Sequence, residues 1–120
     1  LLGEGLPAAP AERWEGEGAR NVMSGLATMA REDASPVVRR YIASLLQRIP
    51  AKVRQEPLAA LLAHAEDATD AQLPLLYWYA SEGVVVEDPD AAVELLKACR
   101  IPKVREFIAR RLAALTVAAK

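Results

Sequence analysis

The sequence predicts an all-α protein built as a stack of about three antiparallel helical hairpins, or about six helices. Alanine and leucine supply much of the 52% apolar content, and aromatic residues make up 5%, a composition that favours helix over sheet. From residue 19 onward, apolar residues recur at the three- and four-residue spacing of a helix face. Prolines divide these segments at short intervals, as expected for antiparallel helix neighbours.

The first 18 residues differ from the rest of the chain. They are rich in Gly, Pro, Ala and Glu and lack apolar periodicity, which predicts a linker or disordered end over 1–18 and a helical-repeat domain over 19–120. Trp14 is the exception in this segment, and we expect it to pack back onto the first helix.

Six apolar stripes define the predicted helices. The first three consist of Val22, Met23, Leu26, Met29 and Ala30; of Val38, Tyr41, Ile42, Leu45, Leu46 and Ile49; and of Leu58, Leu61, Leu62 and Ala65. The fourth segment, 73–86, is apolar nearly all round, so we expect it to be covered on more than one side. The last two stripes consist of Val93, Leu96 and Cys99, with Leu95 beside them, and of Val104, Phe107, Ile108, Leu112 and Leu115.

Prolines and capping residues mark the helix ends. Each of five predicted helices has a proline in its first turn, where no intrahelical N–H bond is lost: Pro36, Pro57, Pro74, Pro89 and Pro102. Ser35 and Asp88 stand in the N-cap position before their prolines, and Asp70 is a candidate cap for the fourth helix. Pro50 is expected to end the second helix.

An internal repeat appears when three segments are aligned on Pro36, Pro74 and Pro102. Five positions after each proline stand Tyr41, Tyr79 and Phe107. The spacings of 38 and 28 residues bracket a helical-hairpin unit and fall short of the about 40 residues typical of HEAT repeats. We therefore expect the three aromatic side chains to fill equivalent buried slots between hairpins.

The segment 33–39 (DASPVVR) resembles the HEAT signature, in which an Asp is followed by Val-Arg before an apolar helix. Val104 and Arg105 repeat the second half of it. In HEAT-type stacks such Asp and Arg residues tend to bond across neighbouring repeats. The resemblance implies an architectural role for Asp33 and Arg39.

Three strings carry a further resemblance: SPVVRRYIASLLQRIP, LLAHAEDATDAQLPLLYWYASE and IPKVREFIARRL. Together they are similar to the helical-repeat region of very large secreted proteins of planctomycete-type bacteria, described as membrane-bound dehydrogenase-like or c-type haem-binding proteins. The resemblance covers residues 20–115. It implies a periplasmic or extracytoplasmic scaffold between a sugar-dehydrogenase-like β-propeller and a cytochrome domain.

The resemblance does not bring haem into this chain. Covalent haem attachment needs Cys-x-x-Cys-His, whereas Cys99 is followed by Arg-Ile-Pro-Lys and the single histidine, His64, is distant in sequence. We expect no cofactor in this segment, and the β-propeller's site residues have no counterpart here.

Charge and composition exclude several function classes. The formal net charge of −1 gives no overall field for nucleic acid or an anionic membrane surface, and no apolar run approaches the about 20 residues of a membrane-spanning helix. The single cysteine forbids an internal disulfide and leaves the compartment undetermined. The chain starts at Leu1 rather than Met, which we interpret as a piece of a longer protein.

Three candidate chemical groups are each weaker than an ordinary structural interpretation. His64, near Glu66 and Asp67, is more consistent with a hydrogen-bonded helix-end histidine than with a metal ligand. The carboxylates Asp67, Asp70 and Glu82 are more consistent with capping and solvation than with hydrolysis. Cys99 lacks a plausible histidine base and is expected to be a buried apolar residue. We therefore predict no catalytic and no metal site.

Charge is segregated along the chain. Residues 66–94 hold eight acidic groups and no Lys or Arg, whereas residues 100–120 hold six basic groups against Glu106. One interpretation is helix-end complementarity and ion pairs between adjacent hairpins; the other is a polar surface for a partner or a neighbouring domain. Nucleic-acid binding is not expected, because the basic helix lacks interleaved aromatics.

The cluster Tyr77-Trp78-Tyr79 cannot place three consecutive side chains in one core. The repeat register assigns Tyr79 to the core, so Tyr77 and Trp78 become candidates for an exposed surface. The predicted interaction surface consists of Trp78, Tyr77, Arg105, Arg110 and Arg111.

These observations predict a non-catalytic helical-repeat scaffold that contacts proteins or neighbouring domains. Exposed ends of the stack would also permit a homodimer. The alternative, implied by the second resemblance, is a structural module of a secreted haem-containing dehydrogenase whose catalytic residues lie elsewhere.

Overall fold

The computed structural model describes residues 15–118. Within them the chain forms six α-helices: α1 (Glu17–Glu32), α2 (Pro36–Leu46), α3 (Gln55–Leu62), α4 (Leu73–Glu87), α5 (Pro89–Ala98) and α6 (Pro102–Ala118). Two 3-10 helices, Ala51–Val53 and Ala65–Thr69, precede α3 and α4. The predicted all-α class with six helices is confirmed for this part of the chain. Most of the predicted 1–18 linker, with Trp14, lies outside the described residues.

Short-range hydrogen bonds explain where the helices begin. The Ser35 hydroxyl accepts from the backbone N–H of Val38 at the start of α2, and the Asp88 carboxylate accepts from the N–H of Ala91 at the start of α5. The Asp70 carboxylate accepts from two backbone N–H groups, those of Gln72 and Leu73, before α4. These bonds satisfy N–H groups that have no partner within the helix, and they confirm the three predicted capping residues.

The helices pack in two rows. Helix α3 contacts both α1 and α5, while α4 contacts both α2 and α6, and α4 also touches α3 and α5. The apolar core lies between the rows, with α4 contributing Leu73, Tyr77, Ala80, Val84 and Val85. The prediction that the fourth helix is covered on several sides is confirmed, since α4 packs against four other helices.

The predicted burial of Tyr41 and Tyr79 is wrong. Tyr41 is 74% exposed and Tyr79 is 48% exposed, whereas Tyr77 is fully buried and cannot belong to an exposed surface. A helix turns by about 100° per residue, so a side chain two positions after the buried Tyr77 points to the opposite side. Because α4 is apolar nearly all round, its sequence does not indicate which side of the helix faces the core. The choice between the two tyrosines therefore could not be made from the sequence.

The alignment on the three prolines still relates equivalent buried positions. Six positions after Pro36, Pro74 and Pro102, the side chains of Ile42, Ala80 and Ile108 are all buried. Phe107, five positions after its proline, is half-buried. The three helices thus present equivalent positions to the core, but the recurring aromatic position lies outside it in α2 and α4.

Candidate interaction surface

A buried polar network connects α2, the Ala65–Thr69 helix and α4. The Arg39 guanidinium donates to both carboxylate oxygens of Asp67, from Nε to Oδ2 and from Nη2 to Oδ1, each at 2.7 Å. The Tyr77 hydroxyl donates to Oδ2 of the same carboxylate at 2.6 Å. The remaining Arg39 Nη1 donates to the carbonyl of Asp33 at 2.9 Å, in the turn between α1 and α2.

The ionisation of this network follows from its burial. The hydrogen bond and charge of Asp67 raise the pKa of Arg39 above its usual range, against the opposing effect of desolvation. Burial, reinforced by the bond to Asp67, raises the pKa of the Tyr77 hydroxyl above its usual range. Arg39 is therefore a cation and Tyr77 a neutral donor, and together they leave Asp67 no free role as a hydrolytic carboxylate.

The two residues of the predicted signature behave differently. The Arg39 side chain, on α2, bonds to Asp67, which lies after α3. The Asp33 carboxylate instead accepts from the backbone N–H of Ser35 in its own turn, at 2.8 Å. Arg105, at the equivalent position in α6, is exposed.

A second buried arginine escaped sequence reasoning. Arg54 is 9% exposed, and its guanidinium donates to the carbonyls of Ile49 (2.7 Å), Ala80 (2.9 Å) and Gln47 (3.3 Å). Desolvation lowers the pKa of Arg54 below its usual value. The preceding valine does not reveal this burial, because Val-Arg also stands at 38–39, where the arginine is buried, and at 104–105, where it is exposed.

The remaining chemical candidates, His64 and Cys99, contact neighbouring backbone and side-chain groups. The His64 ring contacts the carbonyl of Ala30 through Nε2 and the Glu66 carboxylate through Nδ1, the latter at 2.8 Å. That bond is the main reason that the pKa of Glu66 is lowered. Cys99 is buried, and burial raises the pKa of its thiol. In residues 15–118, no group of three His, Cys, Asp or Glu side chains is arranged to hold a metal ion.

The first of two exposed apolar features lies on α4. Leu75, Tyr79 and Val86 are 46%, 48% and 46% exposed, on the side of the helix opposite Tyr77. We call these three residues the α4 stripe. One of them, Leu75, also lines a groove of about 430 Å³ between α2 and α4, together with Arg40, Ser44, Ala71, Gln72 and Leu76.

The predicted interaction residues on α6 lie beside the helix that carries this stripe. Trp78 is half-buried against Phe107, with ring centroids 5.5 Å apart and planes inclined at 44°. The Lys103 ammonium lies 6.0 Å from the centroid of Phe107. Arg110 is exposed and pairs with Glu106 at 2.6 Å, whereas Arg111 is half-buried. Trp78 is thus mainly an α4–α6 packing residue.

The second exposed feature is the α1–α2 face, formed by Val22, Leu26, Met29, Val38, Tyr41 and Leu45. Five of these residues, together with Ile42, line a groove of about 330 Å³ between the two helices: Leu26, Met29, Val38, Tyr41 and Leu45. Tyr41 is 74% exposed at the edge of this groove and is the single aromatic residue of α1 and α2. Sequence reasoning missed the face because it assigned Tyr41 to the core.

Comparison with models of protein families, with curated proteins and with solved structures found no match to this chain. No helix within residues 15–118 is long and apolar enough to cross a bilayer.

Proposed function

We propose that this chain is a non-catalytic helical-repeat scaffold, a HEAT-like stack of the hairpins α1–α2, α3–α4 and α5–α6, that binds protein through its α4 stripe. The observation that carries the proposal is the exposure of Leu75, Tyr79 and Val86 along one side of a helix whose other sides are buried. An aromatic and two aliphatic side chains at helical spacing match the anchors that protein interfaces use.

The packing order supports the stacked arrangement. Odd-numbered helices contact one another in sequence, and so do even-numbered helices, as expected when successive hairpins lie side by side. Polar bonds join consecutive hairpins as well. Arg39 of the first hairpin bonds to Asp67 of the second, and the Gln55 side chain donates to the Ala91 carbonyl in the third at 3.0 Å. The Arg100 N–H also donates to the Leu62 carbonyl at 2.8 Å.

The groove between α2 and α4 supports a peptide or helix of a partner protein as the ligand. Leu75 lies both in the α4 stripe and in this groove, so an apolar side chain of the partner can contact both. Arg40 supplies a positive charge at the groove wall, and Glu82 lies on the exposed side of α4. The partner we expect is therefore an amphipathic segment with apolar anchors and flanking charges of both signs.

Photo-crosslinking tests this proposal. A photoreactive phenylalanine at position 79 should give one discrete adduct in the cells that make the protein, and Leu75→Glu in the same chain should abolish it. The control is the same probe at Val93, an exposed apolar residue of α5. The proposal fails if positions 79 and 93 give the same adducts, or if Leu75→Glu leaves the adduct unchanged while circular dichroism shows a folded chain.

The alternative proposal is a structural module of a larger secreted haem-containing dehydrogenase, with catalysis outside residues 1–120. It rests on the sequence resemblance alone. The gene around this segment tests it: a Cys-x-x-Cys-His motif downstream and a β-propeller upstream would support it, and their absence would remove it.

A further inference from the structure

The α1–α2 face is a second apolar surface, on helices at one end of the packing order. We propose that it is occupied by a second copy of this chain, related by a two-fold axis that passes close to Tyr41. The α1–α2 face is separate from the α4 stripe, because the two sets of exposed side chains lie on different helices: Val22, Met29, Tyr41 and Leu45 on α1 and α2, and Leu75, Tyr79 and Val86 on α4.

The face carries both halves of a self-complementary contact. Tyr41 is 74% exposed and forms one wall of the groove that Leu26, Met29 and Leu45 also line. A two-fold interface requires that a protruding group and the cavity that receives it lie on the same surface, since each copy then provides one of each to the other. The Tyr41 ring of one copy thus enters the groove of its partner.

The spacing along α2 fits an antiparallel pairing about Tyr41. Val37 and Leu45 lie four residues before and after Tyr41 and are 48% and 43% exposed, so Val37 of one copy faces Leu45 of the other. In the same register Arg48 of one copy lies opposite residue 34 of the other. Residue 34 lies two positions after the exposed Glu32, so exposed opposite charges, Arg48 and Glu32, meet at both ends of the contact.

A head-to-tail stack of copies is disfavoured by the surface of the last hairpin. Its exposed side chains include the ion pairs Glu94–Lys97 and Glu106–Arg110. Covering such charges with the apolar α1–α2 face would remove their hydration without providing partners. The same face on a second copy requires no such loss.

The dimensions of the face set the expected affinity. Helix α1 is about 24 Å long, and two helices side by side are about 20 Å wide, so two copies would bury about 1,000 Å² in total. That area is at the lower limit for a specific interface, so we expect a dissociation constant of about 10 μM or above.

Sedimentation equilibrium of the chain at increasing concentration tests the proposal. The average mass should rise from 13.0 kDa toward twice that value, and Leu45→Glu should hold it at the monomer value. Val93→Glu, a matched change on α5, should leave the rise unchanged. A mass of 13.0 kDa at 1 mM overturns the dimer, and a rise that persists in folded Leu45→Glu overturns this face as its site.

Charge reversal tests the register. Arg48→Glu and Glu32→Arg should each weaken association about tenfold, and the double variant should recover most of the loss. A double variant no stronger than either single variant overturns the antiparallel pairing about Tyr41.

Discussion

Arg39 and Asp67 form a two-point salt bridge between side chains that are only 2% and 3% exposed, 28 residues apart in the chain. Each charge is desolvated, so each depends on the other and on the hydroxyl of Tyr77. The pair is therefore a point at which one substitution should have a large effect.

Asp67→Asn should lower the free energy of unfolding by about 3–5 kcal/mol, because it leaves the Arg39 guanidinium buried without a counter-charge. Urea unfolding followed by far-ultraviolet circular dichroism measures this change. Glu66→Gln is the control, since Glu66 is 63% exposed and lies 3.9 Å from Arg39, and it should cost only a small fraction as much. Equal stability of Asp67→Asn and the native chain would contradict the structural role of the pair.

Tyr77→Phe should lower the free energy of unfolding by about 1–2 kcal/mol, because the Asp67 carboxylate loses a buried donor. Tyr79→Phe removes the same hydroxyl from an exposed position and should change stability by less than about 0.5 kcal/mol. Thermal unfolding of the two variants side by side gives the comparison. A larger loss of stability in Tyr79→Phe than in Tyr77→Phe would mean that Tyr79, and not Tyr77, is the core residue.

Arg54→Met should lower the free energy of unfolding by about 1–3 kcal/mol, because the carbonyls of Gln47, Ile49 and Ala80 lose a common donor. Arg54→Lys should also lower the free energy of unfolding, since an ammonium lacks the planar guanidinium geometry that serves three acceptors. Arg31→Met, an exposed change near the end of α1, is the control for chemical unfolding. An Arg54→Met variant of native stability would show that the burial of this cation is itself costly enough to cancel its bonds.

Acid should destabilise the fold through Glu66 and Asp70. The hydrogen bond from His64 lowers the pKa of Glu66 from 4.5, and two backbone N–H groups lower that of Asp70 from 3.8. A carboxyl whose pKa is lower in the folded chain stabilises the fold above its unfolded pKa, and that contribution is lost as pH falls through the folded value. The urea concentration at the unfolding midpoint should therefore decrease as the pH is lowered below 4.5, the ordinary pKa of Glu66.

Asp70→Asn separates the two contributions. The amide oxygen can still accept from the N–H groups of Gln72 and Leu73, so stability at pH 7 should change little, while the fall in acid becomes shallower. An unchanged pH profile in this variant would mean that the Asp70 cap does not contribute to the acid sensitivity.

Helix positions and caps could be predicted from the sequence because their causes are local. A proline in the first turn, a Ser or Asp before it and a three- or four-residue apolar spacing act within one helix. Ser35, Asp70 and Asp88 were found in this way.

The buried network could not be predicted from the sequence, because Asp67 finds its partners on α2 and α4, and Arg54 reaches Ala80 on α4. From the sequence alone, Asp67 is expected to be solvated because it lies in an acidic segment, and only the folded chain brings Arg39 within bonding distance. Tyr77 and Tyr79 were interchanged for a different reason, since α4 lacks a polar side that would fix its rotation in the core. The wrong expectation that Tyr41 is buried rests on the repeat alignment, in which Tyr41 and Tyr79 both stand five positions after a proline.

The Arg39–Asp67–Tyr77 network has a consequence for how such a chain can be shortened, lengthened or recombined. A cut in the loop after α2, past Leu46, would leave Arg39 in one piece and the Asp67 carboxylate and Tyr77 phenol in the other. The smallest segment that keeps all three groups runs from Arg39 to Tyr77, that is, from within α2 to within α4. Segments exchanged between related chains should therefore be joined within α1 or after the buried part of α4, rather than in the turns that separate α2, α3 and α4.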